Sequence, residues 1–196
     1  RLGFGVVIAV VAVFAAAAWA ERRQRSAARP SETNETFEPS RQIGATAPLL
    51  FFDPWGYAKP GDKAGFRRLR AAELKHGRVA MMACAGALAQ HGLRFPGFED
   101  VPPGLAAVAA APGTFGLTFL VLVAGIFELW LWKEDPKREP GDFGDPLAVG
   151  IRYRYKDSMR NRELNNGRFA MFAIVGIIAA ELFTGKDAVQ QLGLSA

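Results

Sequence analysis

The sequence predicts an all-α membrane protein in which three helices span the bilayer and the first and third cross about a pseudo-two-fold axis. Three observations carry this. Apolar stretches of helical length recur, separated by Pro- and Gly-rich breaks. One helix motif occurs twice, 90 residues apart. Each copy places a Glu and an Arg in an apolar stretch, where a charge needs a partner. An extra N-terminal apolar helix and a short C-terminal amphipathic helix complete the expected fold.

The composition suits that class. The 196 residues are 50% apolar and 22% charged, which fits short spans joined by polar loops. The net charge is +5, with basic runs at Arg22-Arg23-Gln24-Arg25 and Arg152-Tyr153-Arg154-Tyr155-Lys156. Such runs suit nucleic acid or one side of a membrane, and the apolar spans argue against nucleic acid. Cys84 is the single cysteine, so no intrachain disulfide forms.

Residues 2–20 are a 19-residue uncharged stretch followed by arginines. A membrane helix is the first reading, since about 20 apolar residues cross the hydrocarbon core. A removed leader, an interfacial helix or a helix packed on a partner are the others. This stretch and its basic flank make a first segment, residues 1–26. Residues 27–65 form an extended linker and surface segment, broken by Pro30, Pro39, Pro48, Pro54 and Pro60. Its aromatic end, Phe51-Phe52-Asp53-Pro54-Trp55-Gly56-Tyr57, suits the membrane interface. Residues 66–196 are the three-helix domain. Helices are expected at 66–91, 114–132 and 158–183, and a short one at 187–194.

If the three helices alternate in direction, the basic residues fall on one face. Arg67, Arg68 and Arg70 begin the first helix, Lys133, Lys137 and Arg138 follow the second, and Arg152, Arg154, Lys156, Arg160 and Arg162 begin the third. The positive-inside rule puts that face on the cytoplasm-like side.

The repeat carries the chemistry. Glu73-Leu74-Lys75-His76-Gly77-Arg78-Val79-Ala80-Met81-Met82-Ala83-Cys84-Ala85-Gly86 aligns without gaps on Glu163-Leu164-Asn165-Asn166-Gly167-Arg168-Phe169-Ala170-Met171-Phe172-Ala173-Ile174-Val175-Gly176, with 8 of 14 positions identical. Hydropathy alone rejects the first copy as a span, because only residues 79–89 lack a polar group. Within one helix the Glu and Arg, five positions apart, lie roughly 140° apart and pair badly. Two crossed copies resolve this: Glu73 pairs with Arg168, and Glu163 with Arg78. Gly77 and Gly167 let the backbones approach. Each paired carboxylate keeps a free oxygen, and His76 and Asn166 add a further donor. The Mg2+ of a chlorin ring needs one axial N or O ligand, and a Glu–Arg pair supplies one with no net charge. The other reading is a pair of interhelical salt bridges that lock a bundle. Met81, Met82, Met171 and Phe172, taken alone, read as core packing.

These residues closely resemble the chlorophyll-binding light-harvesting family, whose signature is E-x-x-H-x-R on the first helix and E-x-x-N-x-R on the third. The resemblance covers about residues 51–192. Phe52-Asp53-Pro54, Arg94-Phe95-Pro96-Gly97 and the short middle helix resemble the red-lineage chlorophyll a/c branch, the fucoxanthin- or peridinin-type antennae. The resemblance implies axial Mg ligands at Glu73, His76, Glu163, Asn166 and Glu128, with Arg78 and Arg168 as ion-pair support. Glu128 also reads as a cap or surface acid. It implies chlorophyll a, chlorophyll c and a fucoxanthin-, peridinin- or diadinoxanthin-type carotenoid, held in the grooves beside the crossed helices and reaching loops such as residues 53–56. Many members carry a Gln where this chain has Ala180, so Glu181 becomes a candidate ligand, as do Gln90 and His91, which also read as solvated or capping groups.

The function implied is light harvesting in the plastid thylakoid membrane. Excitation would pass to a photosystem core, photosystem I favoured, with neighbouring antenna subunits and membrane lipid as the other partners and no nucleic acid. The basic face then lies in the stroma, and residues 2–20 would anchor the antenna to a neighbour. A photoprotective, energy-dissipating member is the alternative in the same family. A transporter or proton relay would need a polar path that a middle helix with one acid does not offer. No nucleophile–base pair, phosphate loop or metal cluster supports an enzyme.

Overall fold

The computed structural model describes residues 37–132, 134–135, 137–143 and 157–193. The expected helix at 2–20, the basic runs at 22–25 and 152–156, and Leu194 lie outside the described residues. Two long helices dominate: α1, Lys63–Ala89, and α3, Asp157–Thr184. Between them lie a 3-10 turn, Gly104–Val108, and the middle helix α2, Gly113–Ile126. A four-residue helix α4, Ala188–Gln191, follows α3.

Side-chain chemistry sets the ends. Asp62 Oδ1 accepts from the Gly65 N–H at 2.7 Å, so α1 starts three residues earlier than hydropathy suggests. At its other end Gln90 folds back, its Nε2 donating to Ala87 O at 3.0 Å. Helix α2 does not run on regularly to residue 132 as expected. Its last turn, Phe127–Leu131, is a π turn, closed by the Trp132 N–H donating to Phe127 O at 2.8 Å. The Phe127 and Trp132 rings meet edge to face at 5.2 Å across that turn. Asp187 builds a capping box on α4, with Oδ1 accepting from Val189 N at 3.0 Å and Gln190 N at 2.9 Å.

The described chain divides into two compact units. One comprises the described residues of 37–82 and 134–172, the other those of 83–132 and 173–193. In the first unit the buried residues of the two long helices form a stripe at every third position, Ala71, Leu74, Gly77 and Ala80 on α1 and Leu164, Gly167 and Ala170 on α3. The last three of each are the same positions of the repeat. Gly77 and Gly167 meet at the crossing: a Cβ on Gly77 would lie 2.9 Å from Gly167 Cα, and one on Gly167 3.0 Å from Gly77 Cα. Residues 37–65 of the surface segment fall in this same unit.

Among the described residues no large side chain is fully buried. Met82 and Phe172, read from sequence as core, are 64% and 83% exposed, and Met81 and Met171 are half-buried. The reason is geometric: a crossing of two helices buries one narrow stripe, and these positions lie off it. Large apolar side chains left open in such numbers require an apolar surrounding. Among the described residues two helices, Gly113–Trp130 and Asp157–Thr184, are long and apolar enough to cross a membrane. The described chain is therefore helical with two helices apolar enough to span, and α1 carries more charged residues than they do.

Candidate functional site

The first unit holds a doubled charge clamp at the helix crossing. Arg168 Nε donates to Glu73 Oε1 at 2.6 Å, and Arg78 Nε donates to Glu163 Oε1 at 2.6 Å. Each arginine spends a second group on a loop: Arg168 Nη1 donates to Gly44 O at 2.6 Å, and Arg78 Nη1 to Gly141 O at 2.9 Å. Gly44 and Gly141 have positive φ, 96° and 79°, a conformation that favours glycine. They also sit against equivalent leucines, since a Cβ on Gly44 would lie 2.9 Å from Leu164 Cδ1 and one on Gly141 2.7 Å from Leu74 Cδ1. Each helix thus holds one loop with a Leu and, four residues later, an Arg.

Sequence reasoning missed these loops. The signal was present: Glu38-Pro39-Ser40-Arg41-Gln42-Ile43-Gly44 matches Asp135-Pro136-Lys137-Arg138-Glu139-Pro140-Gly141 as acid-Pro-x-Arg-x-x-Gly, 97 residues apart. In both segments the acid pairs with the Arg, at 2.7 Å for Glu38–Arg41 and 3.6 Å for Asp135–Arg138. Also unforeseen were Asn161, whose Oδ1 accepts from Gly44 N at 2.8 Å, and Asn165, whose Oδ1 accepts from Thr46 Oγ1 at 3.0 Å. They tie the first loop to α3.

The two copies differ at the remaining carboxylate oxygens. Glu73 Oε2 accepts from Arg70 Nη1 at 2.7 Å. Glu163 Oε2 is buried and has no hydrogen-bond partner. His76 is exposed, and its Nδ1 lies 2.7 Å from Ala72 O. A carbonyl only accepts, so Nδ1 carries the proton and the neutral ring keeps its lone pair on Nε2. Asn166, one helix position from the crossing glycine, is exposed.

The sequence matches the family described as "Chlorophyll A-B binding protein" over residues 38–182. The chain belongs to that family. Among its relatives, fucoxanthin-chlorophyll a-c binding protein A of Macrocystis pyrifera is 38% identical over 92% of this chain and 93% of its own length. The F protein of the same organism is 40% identical over 71% of this chain and 73% of its own. Fucoxanthin-chlorophyll a-c binding protein A of Phaeodactylum tricornutum is 37% identical over 91% of this chain and 93% of its own.

The other residues singled out for this family's chemistry lie in the second unit. Glu128 is half-buried and sits in the π turn that ends α2. Glu181, near the end of α3, turns its Oε1 to the Leu105 N–H at 2.5 Å and so holds the turn Gly104–Val108. Gln90 is engaged with Ala87 as described. His91 has its Nε2 buried 3.5 Å from Asp187 Oδ1, at the N-terminus of α4. Glu181 and Gln90 make hydrogen bonds within the protein, His91 Nε2 and Glu163 Oε2 are each buried without a hydrogen-bond partner, and the Nε2 of exposed His76 is open.

Proposed function

We propose that α1, α2 with its π turn, and α3 each cross the thylakoid membrane, and that Glu73, His76, Glu163, Asn166 and Glu128 are the axial ligands of chlorophyll Mg. The protein is a chloroplast light-harvesting antenna that binds chlorophylls a and c and fucoxanthin-type carotenoid. It acts with a photosystem core and neighbouring antenna subunits. The bound pigments supply the absorption and the passage of excitation. The chain's own residues fix where the pigments lie.

One observation carries the ligand reading: Glu163 Oε2 is buried with no protein partner although its Oε1 is paired. A buried carboxylate oxygen is costly unless something binds it, and a hard divalent ion is such a partner. His76 supports the reading, because fixing Nδ1–H on a backbone carbonyl aims a basic Nε2 outward, as metal-binding histidines do. The Arg78–Glu163 pair keeps that site neutral in an apolar surrounding. The exposed faces of Phe169, Phe172 and Val175 on α3, and of Val79 and Met82 on α1, offer apolar contact for flat rings. The basic face of the helices faces the stroma, and residues 1–26, 27–65 and 66–196 serve as anchor, surface segment and pigment domain.

The test is pigment analysis of the purified Arg78→Gln protein. Arg78 pairs with Glu163, so one chlorophyll assigned to Glu163 should be lost or loosened while the one at Glu73 stays. The charge-assisted bond removed is worth about 1.5–3 kcal/mol. Equal loss at both sites, or loss mainly at Glu73, would refute the crossed ligand assignment.

A further inference from the structure

The repeat makes Arg70 and Arg160 equivalent, three residues before Glu73 and Glu163, yet the structure uses them differently. Arg70 is nearly buried, with 12% of its side chain exposed, and donates Nη1 to Glu73 Oε2 at 2.7 Å. Its guanidinium also lies 5.0 Å from the centre of the Phe66 ring, which holds it in place. Arg160 instead donates Nη2 to Glu139 Oε2 at 2.8 Å and lies 3.9 Å from Asp157 Oδ1. So Glu73 receives two guanidinium groups, Arg168 and Arg70, whereas Glu163 receives Arg78 alone on Oε1.

We propose that Arg70 makes Glu73 the weaker of the two carboxylate ligands, and that Glu139, by holding Arg160, keeps Glu163 the stronger one. This rests on the reading of both glutamates as Mg ligands. The physical cause is competition for electron density. Each charge-assisted hydrogen bond draws on a carboxylate lone pair and leaves less for a metal. The Glu73 cluster also sums to one positive charge, from one carboxylate and two guanidinium groups, while the Glu163 pair is neutral. A surplus positive charge beside a divalent ion opposes its binding. Arg70 is thus a positioning residue that acts through Glu73, and the two copies of one motif become sites of unequal strength.

The experiment uses the full chain refolded with chlorophyll and carotenoid in detergent, and follows the rate at which each chlorophyll leaves on mild heating. Difference spectra of the Glu73→Gln and Glu163→Gln proteins assign the bands. In the unaltered chain the chlorophyll at Glu73 should leave at least about tenfold faster, the low end of what one charge-assisted hydrogen bond corresponds to. Arg70→Met should narrow that ratio by slowing release at Glu73, with a matching shift in the Raman band of its axial ligation. Glu139→Gln should narrow it from the other side, by weakening the hold on Arg160 so that it competes for Glu163. Glu139 is 65% exposed, so this variant folds even if the Arg70 variant does not. Equal or reversed rates in the unaltered chain, or an unchanged ratio in both variants, would overturn the proposal. Full chlorophyll content in both Gln variants is a separate outcome. It would refute the ligand reading itself, and the proposal with it.

Discussion

Replacing Gly77 by Ala puts a methyl group where the two helices touch. That Cβ would lie 2.9 Å from Gly167 Cα and 3.4 Å from Gly167 C. Backbone cannot swing aside as a side chain can, so the helices must separate by about 0.5–1 Å to restore ordinary contact. Overpacking of this kind costs about 1–3 kcal/mol. The Arg78–Glu163 and Arg168–Glu73 bonds span the same crossing at 2.6 Å each, and separation stretches both. Heating the detergent-solubilised protein and following the visible circular dichroism of its pigments should show a midpoint lowered by about 2–4 °C per kcal/mol. Gly167→Ala should behave alike, since its Cβ meets Gly77 Cα at 3.0 Å. The double variant should cost less than the sum, because one separation relieves both clashes. A Gly77→Ala protein as stable as the parent, or strictly additive single effects, would refute the reasoning.

Three further outcomes follow from other parts of the structure. Gly44→Ala places a side chain at φ 96° and 2.6 Å from Arg70 Nη1, so it should destabilise by about 1–2 kcal/mol from the backbone alone, seen as an earlier melting midpoint. Asp187→Ala removes the cap of α4 and should cost about 0.5–2 kcal/mol locally, read as faster proteolytic trimming after residue 186 with the helix bundle intact. Glu181→Ala frees the Leu105 N–H and should speed hydrogen exchange across Gly104–Val108 without loss of a chlorophyll, and loss of one would instead make Glu181 a ligand.

The crossing was legible in the sequence because its physics is local and repeated. A Glu and an Arg five positions apart on one helix face different ways, and no apolar surrounding tolerates them unpaired. A second copy of the same segment supplies each arginine with a carboxylate of the right sign and spacing. The small residue between them gives the point of contact. From these facts the pairs Glu73–Arg168 and Glu163–Arg78 could be written down, and the structure places them at 2.6 Å each.

What the sequence did not disclose depends on which loops arrive beside the helices. Both Arg70 and Arg160 stand three residues before a glutamate, and helix geometry alone gives them the same partner. Only the tertiary structure brings Glu139 to Arg160 and leaves Arg70 on Glu73. The same holds for His91, whose Nε2 the fold buries 3.5 Å from Asp187 Oδ1, nearly a hundred residues away in the chain. The loop glycines were written in a second repeat with its own offset of 97, but only the positive φ and the carbonyl bonds reveal their purpose. Met82 and Phe172 show the limit most plainly. Apolar periodicity marks a residue as shunning water, and the tertiary structure alone decides whether it meets protein or another apolar surrounding.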